Sequence, residues 1–168
     1  MTTSTRLPIG PLEPFHTAGV IGIPDVHVAT ALMRIGGHSL DDPDSAAVAL
    51  AAALCVRALR AGSVCVDLTA DPSAWIPEDS EEPPEDLPWP EATVWLTAAK
   101  GHALVSQGED GPIDRPLRLV GDLLYLQRYW HDEQVIRTAM RGRAATRSCS
   151  ATIFGSLRSH LAIAFGNA

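Results

Sequence analysis

Six histidines, three cysteines, a single lysine and a few neighbouring carboxylates are the residues of this 168-residue chain with chemistry to offer, and their spacing decides which. His16, His27, His38, His102, His131 and His160 form no HExxH or HxH pattern. No single turn or strand would therefore aim two imidazoles at one ion, and no metal site is expected. Cys55, Cys65 and Cys149 lack CxxC spacing, and an odd count without a signal peptide reads as reduced thiols in a cytoplasmic protein. Cys55 and Cys65 are expected to be small core residues, whereas Cys149, between Ser148 and Ser150 in a basic stretch, is the thiol with room to react. The adjacent acids Asp41 and Asp42, and Asp132 and Glu133, have the types for acid–base work, but at helix starts they serve as caps and dipole partners. A phosphate-binding loop needs GxxxxGK[ST], so that backbone N–H groups approach the phosphates and the lysine neutralises them. The only lysine, Lys100, lies in "TAAKGHAL" without those glycines, and "GVIGIP" at residues 19–24 meets only the first and fourth positions of GxGxxG. No catalytic residue, no cofactor and no small-molecule ligand is expected for this chain.

Nucleic acid is the remaining chemical partner to weigh. Tyr129 and Trp130 have faces on which a base can stack, and Arg128, Arg137 and Arg141 can reach phosphate. Against this stands a net charge of −7, where a protein that wraps duplex DNA needs a basic face. The charge is uneven: residues 1–99 carry four Arg against fourteen acids, and residues 100–168 carry nine basic residues against six acids. The alternative is structural, with Tyr129 and Trp130 filling a corner between a hairpin and a helix.

The elements that would position these residues follow from pattern. In "RLVGDLLYLQRYWHDEQ", residues 118–134, Gly121-Asp122 makes a two-residue hairpin loop, with glycine at the position that needs positive φ. Val120 then faces Leu123, Leu119 faces Leu124, Arg118 faces Tyr125 and Leu117 faces Leu126. The four leucines form a face to be buried, and Arg118 and Tyr125 are expected on the face nearer solvent. Such a hairpin needs helices beneath it. The first candidate, "PDVHVATALMRIGG", opens with Pro24, places Val28, Leu32 and Ile35 inward and stops at Gly36-Gly37. The second, "DDPDSAAVALAAALCVRALRAG", has Asp44 or Ser45 as N-cap, Arg57 and Arg60 near the C-terminal dipole and Gly62 at C′. Being apolar almost all round, it should be central. "SVCVDL" alternates Val64, Val66 and Leu68 against polar partners as a short strand. A third helix, "PEATVWLTAAKGHALV", points Val94, Trp95 and Ala98 inward, "SQGEDGPIDRP" is a turn-rich connector, and a fourth helix from His131 or Asp132 to Met140 buries Val135, Ile136, Ala139 and Met140. Pro8, Pro11 and Pro14 are expected to hold residues 1–13 extended. An acidic, proline-rich surface loop spans residues 69–91, with six prolines, eight acids and no basic residue, tethered by Trp75 with Ile76 and by Leu87 with Trp89. The Arg-rich stretch 141–168 is expected to be a disordered tail. The longest apolar run, Ala46 to Val56, is eleven residues, too short to span a bilayer. The fold class is mainly α (α+β), a small helical domain with one β-hairpin and one short additional strand.

Two stretches carry a family resemblance. "PLRLVGDLLYLQRYWHDEQVI" resembles a "GD-x-LYL-x-R-x-W" run before a helix with an early Glu, matched by Gly121, Asp122, Leu124, Tyr125, Leu126, Arg128, Trp130 and Glu133. "AALCVRALRAGSVCVDL" is similar to a helix and strand with "G-x-VC-x-x-L", matched by Gly62, Val64, Cys65 and Leu68. Both belong, in this order, to the N-terminal domain of the RecD (alpha) subunit of exodeoxyribonuclease V, the RecBCD helicase-nuclease. The resemblance covers residues 14–140. It implies a domain that docks on a RecC-type subunit, and through it RecB, and holds a helicase motor in a complex that repairs double-strand breaks, so that DNA is met only indirectly. In the family an ATP- and Mg-dependent 5′-3′ helicase motor with a P-loop follows this domain. Here the Arg-rich stretch follows instead, and a truncated or frame-shifted product accounts for it economically. No enzymatic activity is expected of the chain on its own. A stand-alone nucleic-acid-binding module using the hairpin and the basic tail is the alternative.

Overall fold

Asp42, Pro43 and a run of alanines set the centre of the molecule. The Asp42 carboxylate accepts from the Ser45 N–H at 2.9 Å, Pro43 takes the first-turn position where a missing N–H costs nothing, and Arg57 and Arg60 occupy the last turn. Gly62, at φ 85°, closes the end in the left-handed conformation expected of C′. The cap lies at Asp42 rather than at Asp44 or Ser45, because proline at 43 begins the helical turn two residues early. The structure, a computed structural model, describes residues 9–76 and 87–144. Its elements are α1 (Glu13–Thr17), α2 (Ile23–Ile35), α3 (Pro43–Arg60), β1 (Cys65–Asp67), α4 (Ala92–Gly101), β2 (Val105–Gln107), β3 (Leu117–Val120) and β4 (Leu123–Leu126). Short 3-10 turns at Gly10–Leu12 and Pro72–Trp75 complete them. The class is the α+β small domain expected.

The chain forms two compact units, Met1–Trp130 and His131–Ala168. In the first, α2 and α4 pack on α3, and β1 and β4 of the sheet pack on it too. The sheet order is β1-β4-β3-β2, antiparallel between β1 and β4 and between β4 and β3, parallel between β3 and β2. α3 buries an unbroken run from Ala47 to Cys55, as an all-round apolar helix should. Leu117, Leu119 and Leu124 close over the core from the sheet, each contributing roughly 1.5–3 kcal/mol on full burial.

Four expectations are corrected. Gly10–Leu12 is helical rather than extended, and Leu12 and Phe15 enter the core, since Pro11 and Pro14, with helix-compatible φ, also suit first turns. α2 presents Val26, Ala29 and Met33 inward, leaving Val28 and Ile35 exposed and Leu32 half-buried. Both triads keep helical spacing; the buried Asp25, tied to Arg60 of α3, selects the phase. Val94 of α4 is likewise exposed while Trp95, Ala98 and Ala99 are buried. β2 replaces the expected end of the third helix, extending through a backbone bond from Gly108 N–H to the Leu119 carbonyl at 2.8 Å.

Trp75, Leu87 and Trp89 pack against the core as the tether expectation requires. The rest of the acidic loop, residues 77–86, lies outside the described residues, as do residues 1–8 of the N-terminal tail and residues 145–168 of the C-terminal one. Residues 127–130, at the end of the first unit, are already helical, so the helix begins before the expected His131 or Asp132. In the second unit residues 131–144, called α5 here, are helical, so it also runs past Met140 into the stretch expected to be tail. Val135, Ile136, Ala139 and Met140 are exposed, not buried. Their i, i+4 spacing makes them one stripe. No described helix is long and apolar enough to cross a membrane.

Candidate functional site

The two motif stretches meet. Cys65 pairs with Tyr125, Val66 with Leu124 and Asp67 with Leu123, the Leu68 N–H donates to the Asp122 carbonyl at 3.0 Å, and the Cys55 thiol donates to the Leu124 carbonyl at 3.3 Å. The helix–strand run and the hairpin are therefore two halves of one platform. Gly121, at φ 61°, makes the exposed turn with Asp122, and the register is the one the pattern demands: Leu117 opposite Leu126, Arg118 opposite Tyr125, Leu119 opposite Leu124, Val120 opposite Leu123. Leu124 and Leu68 are buried, Leu126 and Cys65 half-buried, and Val64 exposed. Burial pushes the Cys55 thiol pKa far up, so it stays protonated and inert.

Arg118 and Tyr125 do not face solvent. Arg118 is 1 % exposed. Its Nη1 donates to the carbonyls of Gly108 (2.7 Å) and Glu109 (3.3 Å), its Nη2 to those of Gly111 and Pro112 (both 2.9 Å), and its Nε to Gln127 Oε1 (2.8 Å). A fork of rigid donors suits this cage of carbonyls, which a lysine could not fill. The cage closes only because residue 111 is glycine: a Cβ there would lie 2.4 Å from both the Gln107 carbonyl and Ser106 Oγ. The connector read as a plain turn-rich loop is thus a lid on the sheet, and its Gly-rich composition was the available signal. Tyr125 is covered by Trp130, ring centroids 5.0 Å apart and edge to face. Of the pair expected to fill the corner, only Trp130 is buried, on Tyr125, whereas Tyr129 and Arg128 are exposed. Glu133, in the second unit, accepts from Arg137 Nη2 at 3.1 Å.

A second polar cluster was not foreseen. Ser45 Oγ donates to Asp42 Oδ2 at 2.7 Å and lies 3.3 Å from His102 Nε2, while the Leu104 N–H donates to His102 Nδ1 at 3.2 Å. The residue types are those of a hydrolytic triad, but the protons run the wrong way. With Nδ1 occupied as an acceptor, the neutral ring carries its proton on Nε2 and donates to Ser45, which gives its own proton to Asp42. The serine is a relay in a helix cap, not a nucleophile. Burial, then the His38 ring 4.3 Å away, holds the His102 pKa below the ordinary histidine value. Hydrogen bonds from Ser45, hydroxyl first and N–H second, hold Asp42 below the usual carboxylate value. No group of three metal-ligating side chains forms among the described residues.

At the junction of α2 and α3, the buried Asp25 accepts from the Gly22 N–H at 2.7 Å and pairs with Arg60 at 2.5 Å. Arg57 reaches the Trp75 carbonyl. All these arrangements fix packing, and none assembles a reacting centre.

The family described as "RecBCD enzyme subunit RecD, N-terminal domain" matches residues 17–125, a span that holds both halves of the platform from Gly62 to Tyr125. The chain is similar to the RecBCD enzyme subunit RecD of Mycobacterium tuberculosis strain H37Rv, 42% identical over 128 residues, covering 76% of this chain and 19% of that protein. It is 46% identical over 125 residues to the RecBCD enzyme subunit RecD of Mycolicibacterium smegmatis, covering 74% of this chain and 19% of that protein. The chain thus spans about a fifth of the length of the curated relatives it matches. No solved structure matches it.

Proposed function

Since the chain belongs to the family of RecD N-terminal domains, we propose that it is a subunit-docking domain, binding a RecC-type subunit and through it RecB, and holding an alpha-subunit helicase motor to the RecBCD complex in double-strand break repair. The observation that carries this reading is the apolar stripe of α5, where Val135, Ile136, Ala139 and Met140 lie exposed on one face. Apolar side chains gathered on one face mark a surface meant to be covered, and a partner in the complex supplies the cover. On this reading ATP, Mg and the strand-separating chemistry lie with the motor. The present chain binds neither and performs no reaction itself, and it works in the cytoplasm with the DNA it indirectly serves.

The alternative reading as a nucleic-acid-binding module is weaker than the sequence made it. Arg118 of the hairpin is consumed by its carbonyl cage and Arg137 is engaged by Glu133. The test is co-expression of the tagged chain with RecB- and RecC-type subunits, followed by gel filtration. Retention of the RecC-type subunit is expected, lost in Ile136→Asp while the melting curve holds. A folded chain that retains neither subunit would overturn the docking role, and tight DNA binding that falls steeply with salt would put the nucleic-acid reading in its place.

A further inference from the structure

Three of the four tryptophans gather away from the hairpin corner. Trp75 lies 5.3 Å from Trp89 and 5.7 Å from Trp95, and Trp89 lies 6.4 Å from Trp95, measured between ring centroids. Trp95 is fixed from behind, its indole N–H donating to the Ala47 carbonyl of α3 at 2.8 Å. Trp75 and Trp89 are only half-buried. Together the three rings line a cavity of about 280 Å³, whose other walls include Thr69, Asp71 and Glu91. That volume is just under the roughly 300–1,000 Å³ of drug-sized pockets, which suits one side chain rather than a cofactor.

The walls have a sign. An indole presents a negative π face, and tryptophan is the best of the aromatic residues at attracting a cation. Asp71 and Glu91 add two carboxylates, and among the described residues no lysine, arginine or histidine lines the cavity. Hydrogen bonds from Ser73, side chain before backbone, keep the Asp71 pKa below the usual carboxylate value, so its charge is present at neutral pH. Arg57 touches the Trp75 carbonyl but lines a different cavity. Residues 1–99 carry ten more negative than positive charges, so the surrounding field also draws cations.

We propose that this tryptophan pocket is a receptor for a cationic side chain, an arginine presented by a partner protein, stacked on Trp75 and Trp89 and forked onto Asp71 and Glu91. Arginine fits better than lysine because its planar guanidinium stacks on an aromatic face while its edge donates to a carboxylate. The site lies wholly in the first unit and goes beyond the docking reading. A small probe tests it without any RecC-type partner, so either can fail alone.

The experiment is a titration of the full chain with N-acetyl-arginine methylamide, following the tryptophan indole N–H signals by NMR, with the citrulline counterpart as neutral isostere. The expected result is saturable movement of the Trp75 and Trp89 signals with a dissociation constant on the order of 1–10 mM, an unmoved Trp130, and roughly tenfold weaker binding of the citrulline compound. Glu91→Gln, on an exposed residue, should weaken the arginine probe alone, and Trp89→Leu should abolish its effect if that variant keeps its melting curve. Equal response to citrulline, equal movement of all four indoles, or no saturation up to roughly 100 mM would each overturn the proposal.

Discussion

The two faces of the β3–β4 hairpin are equally dry and are kept so by different physics. On one, Leu117, Leu119 and Leu124 lie against the helical core, held by non-directional burial. On the other, Arg118 and Tyr125 are buried by a lid whose carbonyls take five of the guanidinium's hydrogen bonds together with Gln127, and by one tryptophan ring. The first face tolerates any apolar shape of similar volume. The second is directional, so a wrong residue there costs through unpaired groups rather than through lost area.

Substitutions can break this contrast. The largest effect is expected from Trp130→Ala, at about 3–5 kcal/mol; an unchanged urea transition would remove the corner from the account. Leu124→Ala should cost about 2–5 kcal/mol while leaving the protection of the Gly108 N–H at the start of the lid, bonded to the Leu119 carbonyl, intact in hydrogen exchange. Arg118→Met should cost about 1–3 kcal/mol and do the opposite locally, exposing that lid to exchange before the rest unfolds. If both variants loosen the lid alike, the faces are not independent. A smaller effect concerns acid. Because His102 is held below its ordinary value of 6.5, the folded state favours the neutral ring. That stability is complete above pH 6.5 and declines as the pH falls through the lowered value. His102→Gln should flatten the slope of stability in that window, and an unchanged slope would show that the cap relay contributes nothing. Smallest of all, Arg137→Gln, on the half-buried i, i+4 pair of α5, should change stability by about 0.3–0.5 kcal/mol.

What the sequence revealed divides along the same line. α3 and the hairpin register were legible because apolar pattern, turn chemistry and the closing Gly62 all point one way, although the N-cap lies at Asp42 and Leu126 of the leucine face is only half-buried. The Arg118 face was misread because alternation assigns a charged residue to solvent. Only the fold reveals that residues 108–112 return over it. α2 carried two apolar stripes of equal spacing, and the choice rested on a partner on another helix, Arg60. β2 is three residues long, too short to establish a period. His102 and Ser45 lie 57 residues apart, and nothing local to either announces the other. At the platform, Gly62, Cys65, Leu68, Gly121 and Leu124 were named in advance, and the antiparallel pairing explains why they occur together.

That pairing also sets an order of events during synthesis. β1 finds its partner in β4, roughly sixty residues later, so at about 5–20 residues per second the ribosome needs roughly 3–12 s to deliver the second strand after the first has emerged. During that interval α2 and α3 can pair by themselves, but Leu54, Cys55 and Val66 have no sheet to cover them. The nascent chain therefore carries an open apolar flank for seconds, until the strand beyond the Gly121 turn leaves the exit tunnel.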